Sequence, residues 1–141
     1  MMMAVIHFIN VVFITITSMF FVSTKGMFVK RTFLNMPLYL FESSIIPIDK
    51  EENINPHFDL DVVKEKVIYY LNLNLKNEVS NYKISFFPYI EDEENNKYYI
   101  NLEDNIKNIQ IHFISKYFLD FKVDAYLCFI LKEKGVIKSE F

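Results

Sequence analysis

The chain has 141 residues, of which 52% are hydrophobic and 17% aromatic, with 15 Phe, 9 Tyr and no Trp. Only two glycines and four prolines are present, and this composition excludes a disordered or low-complexity chain. The formal net charge is −3 with acidic and basic residues interspersed, so the basic footprint of a nucleic-acid-binding protein is absent and no nucleic acid partner is expected.

The N-terminal segment 1–24 carries no charged side chain, and residues 4–23 form an apolar run. A helix that rises ~1.5 Å per residue needs about 20 residues to cross a hydrocarbon core of ~30 Å. Residues 1–24 are therefore predicted to form a transmembrane anchor helix, which makes the protein bitopic and places it in the cell membrane. A cleaved signal peptide is the main alternative, although residues 22–24 offer only a poor cleavage site. A buried or interfacial hydrophobic helix is the third.

Four polar residues within this run are candidates for helix association. His7 and Asn10 lie one turn apart, and a neighbouring helix could satisfy both side chains. The alternative is that His7 lies near the membrane surface without a partner. Thr15 and Ser18 complete the set, although such hydroxyls also bond back to carbonyls of their own helix.

Residues 25–57 are predicted to form a stalk helix followed by a linker. Large apolar residues recur three to five positions apart as far as Phe41, and Pro37 would kink or restart a helix there. The stretch beyond Phe41 contains Pro47, Pro56 and several acidic residues, which is typical of an exposed linker.

A small domain is predicted over 58–132. It begins with an amphipathic helix whose apolar face consists of Leu60, Val63, Val67, Leu71 and Leu75. Alternating apolar residues then predict four strands, which lie at 81–90, 97–102, 108–121 and 122–132. The expected fold is α+β: a long N-terminal apolar helix followed by a helix packed on a four-strand antiparallel meander. Residues 133–141 are predicted to be a polar tail that frays.

No residue pattern predicts catalysis, a cofactor or a metal site. His7, His57 and His112 lack the spacing of metal ligands, and the acidic cluster at 91–94 lacks the spaced ligands and the glycine of a calcium loop. His112 alternates with the core-facing residues of the third strand and is expected to point away from the core. The single cysteine, Cys128, lies in an apolar strand and is expected to be a buried small residue rather than a reactive thiol. The expected protein is non-enzymatic, with a small ligand-binding or enzymatic domain as an alternative.

Tyrosines in the predicted strands are candidates for an assembly surface, because aromatic residues are enriched at protein interfaces. This set comprises Tyr98, Tyr99, Tyr117 and Tyr126. The alternative is ordinary cross-strand packing on a half-buried sheet. If both faces of the sheet are apolar, the uncovered face favours association. Other protein subunits, in a homo- or hetero-oligomer, are therefore expected partners in addition to the lipid bilayer.

The order of an apolar N-terminal helix, its continuation through FVKRTFLNMPLYLFE and a small meander resembles that of pilin-like and TadE-like minor pilins of bacterial type IV or Tad systems. The resemblance implies that the helix leaves the bilayer to pack in a filament core and that the domain lies outside the cell. The expected function is a structural or assembly subunit at the cell surface. The alternative is a membrane-tethered accessory subunit with a cytoplasmic domain, which the positive-inside rule favours through Lys25, Lys30 and Arg31.

Overall fold

The computed structural model describes residues 2–47, 55–75, 81–91, 94, 96–99, 105–118 and 121–140. Within these ranges it contains three helices and seven strands. In chain order they are α1 (Met2–Leu34), α2 (Tyr39–Glu42), β1 (Ile45–Ile46), β2 (His57–Phe58), α3 (Leu60–Leu75), β3 (Asn81–Glu91), β4 (Lys97–Tyr99), β5 (Asn108–Phe118), β6 (Phe121–Lys132) and β7 (Gly135–Glu140).

The α+β class is confirmed, because α1 and α3 pack on one face of an antiparallel sheet. The strand order is β4-β3-β5-β6-β7, which differs from the predicted meander. The short strand β4 pairs with the outer edge of β3, and β5 returns to pair along the other edge of β3. This order places the long strand β5, which buries Ile109, Ile111 and Phe113, at the centre of the sheet, and it leaves the shortest strand at the edge.

The prediction that residues 133–141 form a fraying tail is wrong. Residues 135–140 form β7, which pairs with β6 from Lys132↔Gly135 to Leu127↔Glu140. Gly135 has a φ of 132°, which favours glycine, and it follows the turn that joins the two strands. Val136 is buried on the helix-covered face. Burial of Val136 and backbone pairing along the whole of β7 thus hold a segment in which three of the six residues are polar.

The second half of α1 belongs to the core of the domain, and it is not a separate stalk. Its buried residues, Val22, Gly26, Val29 and Phe33, recur at helical spacing along the face turned to the sheet. The ring of Phe33 stacks on Phe113 of β5, with 4.9 Å between the ring centroids. The apolar residues that predicted a stalk helix therefore pack against the sheet.

The last residues of the predicted stalk are buried in the core, and the two ends of the predicted linker pair with each other. Met36, Leu40 and Phe41 are buried, and Phe41 stacks on Phe129 of β6 with a centroid distance of 3.5 Å. β1 and β2 pair with each other, and the backbone N–H of Phe58 donates a hydrogen bond of 2.7 Å to the carbonyl of Ile106. The middle of the predicted linker, residues 48–54, lies outside the described residues.

The amphipathic helix predicted after the linker is confirmed as α3. Four of its five predicted apolar-face residues are buried, and Leu60 is half-buried against the core. The Tyr70 hydroxyl donates a 2.9 Å hydrogen bond to the carbonyl of Thr32. This bond and the shared apolar contacts join α3 to the second half of α1.

Candidate membrane anchor and interaction surfaces

The first half of α1 is exposed to solvent on all sides. Every residue from 2 to 21 is exposed, including large side chains such as Phe8, Phe13 and Phe20. The most apolar window of this helical segment has a mean hydropathy of 2.2, and only 6% of the window is buried. The core helix of a soluble protein would be mostly buried. In the described part of the chain, this is the one helix long and apolar enough to span a membrane, although a signal sequence has the same length and composition.

The residues predicted for helix association lie on this exposed half. His7, Asn10, Thr15 and Ser18 are all exposed. The Thr15 hydroxyl donates a 2.8 Å hydrogen bond to the carbonyl of Val11, so its proton is already used within the helix. The structure brings none of the four to a hydrogen-bond partner outside α1 among the described residues, and their role in association stays a prediction.

The passage from the exposed to the packed half of α1 has no break. The first buried residue is Val22, and Gly26 follows one turn later. An added Cβ at Gly26 would lie 2.6 Å from the hydroxyl oxygen of Tyr117, so glycine lets this ring approach the helix. The domain therefore begins where the apolar run ends. Lys30 and Arg31, which follow the run, are exposed on the packed half of the helix.

The four tyrosines predicted as an assembly surface do not form one surface. Tyr99 and Tyr126 lie on the open face of the sheet, which the helices do not cover, and both are exposed. Tyr117 lies on the opposite face against Gly26, because along β5 it alternates in step with the buried Phe113 and not with His112 of the open face. The side chain of Tyr98 lies outside the described structure. The open face is defined here by the exposed residues Phe87, Tyr99, Tyr126 and Ile137. It contains two of the four predicted tyrosines.

Polar contacts order the side chains of the open face. The Tyr99 hydroxyl donates a 2.6 Å hydrogen bond to Oε1 of Gln110. The ring of Tyr126 stacks on His112, with a centroid distance of 4.1 Å and an interplanar angle of 3°. Nε2 of His112 lies 2.6 Å from Oδ1 of Asp124 on the next strand. The prediction that His112 points away from the core is confirmed, and these contacts give it a structural role.

Two buried polar groups beneath this surface were missed by the sequence reasoning. Tyr89 and Gln110 are each 2% exposed, and the Tyr89 hydroxyl and Gln110 Nε2 have no hydrogen-bond partner among the described residues. Burial raises the pKa of the Tyr89 hydroxyl above its ordinary value of 10.0, and the neighbouring Cys128 thiol raises it further. Cys128 is buried, as predicted. Alternation placed Gln110 opposite the core, but no local signal indicated that neighbouring strands would cover it.

Neither a metal-ligand cluster nor a similar known protein points to a function. Among the described residues, no three His, Cys, Asp or Glu side chains come together as metal ligands. No protein-family model matches the chain, and no curated protein or solved structure is significantly similar to it. Two surfaces of the described structure are therefore the candidates for function: the free half of α1 and the open face of the sheet.

Proposed function

We propose that α1 anchors this protein in a membrane as a single-pass protein and that its α+β domain is a non-enzymatic assembly subunit. The observation that carries the anchor is the division of α1. One half exposes about 30 Å of apolar helix, and the other half is built into the domain core. Burial in lipid removes the exposed apolar surface from water without any rearrangement of the domain.

The position of the best cleavage site supports a retained anchor over a cleaved signal. Residues 22–24 lie inside a continuous helix, and Val22 within this site and Gly26 just after it are already buried against the domain. Removal of residues before Lys25 would cut this helix at its first contact with the sheet. The apolar segment and the domain are thus parts of one helix-linked unit.

The open face of the sheet supports an assembly role. Phe87, Tyr99, Tyr126 and Ile137 expose aromatic and aliphatic surface there. A hydrogen bond holds the Tyr99 ring in place, and stacking on a histidine holds the Tyr126 ring. Ordered aromatic side chains lose little conformational entropy on binding, which suits them to protein interfaces. The partner is a further protein subunit, of the same or another kind.

A minor-pilin-like role is the more specific form of this proposal. Its support is the layout of a free apolar half-helix that continues into a half-helix packed on an antiparallel sheet. In such an assembly the free half would pack against other copies, and the exposed His7 and Asn10 would find partners there. The domain would then lie outside the cell.

A cytoplasmic accessory subunit is the second candidate. Its support is the exposed pair Lys30 and Arg31, which together with Lys25 follows the apolar run and favours a cytoplasmic domain by the positive-inside rule. Both candidates begin from a membrane-anchored chain. They differ in the side of the membrane on which the domain lies, and the pilin-like form also packs the free half of α1 against other copies.

The anchor is tested with the full chain carrying a different epitope tag at each end. A retained anchor leaves both tags on one polypeptide that resists alkaline extraction from membranes. A cleaved signal loses the N-terminal tag and releases the domain, and that result would refute the anchor.

The orientation is tested by protease treatment of intact cells, with a protease site placed between Phe141 and the tag. Loss of the tag from whole cells, while a cytoplasmic marker stays intact, supports the surface subunit. Survival of the tag until lysis supports the cytoplasmic subunit and removes the pilin-like form.

The assembly surface is tested by cross-linking of single-cysteine variants in a Cys128→Ala background. Tyr126→Cys on the open face should give a cross-linked product in membranes. The matched control is Tyr69→Cys, because Tyr69 is an exposed tyrosine on α3, away from the sheet. Equal cross-linking at both positions would show that the open face has no special role.

A further inference from the structure

The end of the β5–β6 hairpin lies beside the last turns of the apolar run. β5 and β6 pair as far as Phe118↔Phe121 at this end. Between the hairpin and α1 lies an apolar groove of about 450 Å³. Its lining residues are Ser18, Met19, Val22, Ser23, Tyr117 and Phe121.

The depth of this groove follows from the proposed anchor. Residues 18–23 are the C-terminal turns of the predicted membrane span, so the side chains beside them lie at the boundary between hydrocarbon and headgroups. Tyr117 contacts Gly26 just beyond the span, and Phe121 is 53% exposed next to the groove. Tyrosine and tryptophan are enriched at this depth, because they combine an apolar ring with a polar group, and the purely apolar ring of Phe121 suits the adjoining hydrocarbon.

Positive charge flanks the two rings. Lys116 and Lys122 face each other directly across β5 and β6, and both are exposed. Like charges opposite each other destabilise a strand pair unless an anion lies between them. Among the described residues, the ion pair near them joins Asp124 to His112, and neither lysine has an acidic partner there. By strand alternation both lysines lie on the open face, opposite Tyr117 and the groove, so the hairpin end carries an apolar groove on one face and two ammonium groups on the other. Acyl chains and phosphate groups, the counterparts of these two surfaces, lie close together in the interface of a bilayer.

We propose that Lys116, Tyr117, Phe121 and Lys122 form a second membrane contact, the hairpin contact, which binds the surface of a bilayer that contains anionic phospholipid. The rings enter the interface and the lysines bind phosphate groups. The inference rests on the proposed anchor, because α1 sets the depth of the hairpin. Together the helix and the hairpin hold the domain at a defined tilt to the membrane.

The test uses the full chain in lipid nanodiscs that contain spin-labelled phospholipid as a fluorescence quencher. An environment-sensitive fluorophore is attached at Phe121→Cys in a Cys128→Ala background. The matched control is Ile137→Cys, which has similar exposure, 49% against 53%. Ile137 pairs with Ile130, nine positions along β6 from Phe121, and is therefore about 30 Å farther from the hairpin end.

The expected result is strong quenching at position 121 and little at position 137. Quenching at position 121 should be greater in nanodiscs with phosphatidylserine than in neutral phosphatidylcholine. Lys116→Gln combined with Lys122→Gln should abolish this difference, because each lysine near an anionic surface changes the bound-to-free ratio roughly fivefold.

Two results would overturn the hairpin contact. One is equal, weak quenching at positions 121 and 137. The other is quenching at position 121 that neither lipid charge nor the lysine substitutions change. Resistance of the same variants to alkaline extraction shows whether the anchor is intact, so failure of the hairpin contact is distinguished from failure of the anchor. Circular dichroism of each variant confirms that the domain is folded.

Discussion

Replacement of Phe33 by alanine tests whether the second half of α1 is part of the domain core. Phe33 is 0% exposed, and its ring stacks on Phe113 of the central strand. The matched change is Phe13→Ala, twenty positions earlier on the same helix, where the ring is 69% exposed. Both changes remove the same atoms from α1, and they differ only in what surrounds the ring.

The two substitutions should differ greatly in their effect on the stability of the domain. Removal of a fully buried phenylalanine ring costs about 3–5 kcal/mol through lost transfer free energy and the cavity that remains. The stacking contribution of the Phe33–Phe113 pair, about 0.5–1.5 kcal/mol, is part of this loss. Phe13 contacts no core residue, and Phe13→Ala should change the free energy of unfolding by less than about 0.5 kcal/mol.

The assay is the alkylation rate of Cys128, measured with the full chain in nanodiscs. This thiol is 1% exposed and is the single cysteine, so a reagent reaches it only when the sheet opens. A loss of 3–5 kcal/mol should raise the labelling rate by about one hundred to a few thousand times. If labelling reports global unfolding, the logarithm of the labelling rate should rise linearly with urea concentration in both variants.

A change of less than about fivefold in the labelling rate of Phe33→Ala, which corresponds to about 1 kcal/mol, would contradict a core role for the second half of α1. Such a result would mean that the second half of α1 does not contribute to the stability of the domain, as expected for a separate stalk. A large effect of Phe13→Ala on the same rate would be equally damaging, because it would place the apolar half of α1 in contact with the domain.

Three further predictions follow from single contacts. Gly26→Ala should lower the free energy of unfolding by about 1 kcal/mol or more in the wild-type background relative to the Tyr117→Ala background. The reason is that the new methyl group meets the tyrosine ring only when Tyr117 is present. A double-mutant cycle of unfolding free energies measures this difference. Lys138→Met should cost about 0.3–1 kcal/mol, since the ammonium group lies at the C-terminus of α1, whereas Lys134→Met should cost nothing measurable. Tyr89→Phe should be neutral or stabilising at pH 7, because it removes a buried hydroxyl without a partner, as thermal unfolding would show.

The pH dependence of Tyr89 follows from its raised pKa. The folded protein holds this proton more tightly than the unfolded chain, where the ordinary value is 10.0. Below pH 10 the hydroxyl is protonated in both states, so the shift leaves stability unchanged. As the pH rises above 10 the unfolded chain loses this proton first, and the free energy of unfolding falls. Tyr89→Phe should therefore reduce the alkaline loss of stability. Some loss should remain, because burial also raises the pKa of Tyr70 and of Tyr82.

Controls separate these effects from general damage. Tyr70→Phe removes a hydroxyl that does have an acceptor, so it should cost about 1 kcal/mol where Tyr89→Phe costs none. Similar losses in the two variants would contradict the account of Tyr89. Additive effects of Gly26→Ala and Tyr117→Ala would contradict the close contact, and equal costs of Lys138→Met and Lys134→Met would remove the helix-terminal role of Lys138.

Much of the candidate site was predictable because its signals are local. The uncharged run in residues 1–24 indicated an exposed apolar helix from composition alone. The spacing of Val63, Val67 and Leu71 indicated the buried face of α3, since helical periodicity is a property of neighbouring residues. Strand alternation placed His112 opposite the core. The single resemblance stated from the sequence, to minor pilins, stays a prediction.

What the sequence by itself determined was therefore the identity of segments: an apolar helix, an amphipathic helix and strands with two distinct faces. Only the tertiary structure decided that the predicted stalk is core, that β4 lies outside β3, and that residues 135–140 pair as β7. It also decided that Tyr117 lies against Gly26 while Tyr126 lies on the open face. These outcomes depend on contacts between segments that are far apart in the sequence. The free energy of each contact depends on both segments together, and the periodicity of one segment does not specify its partner.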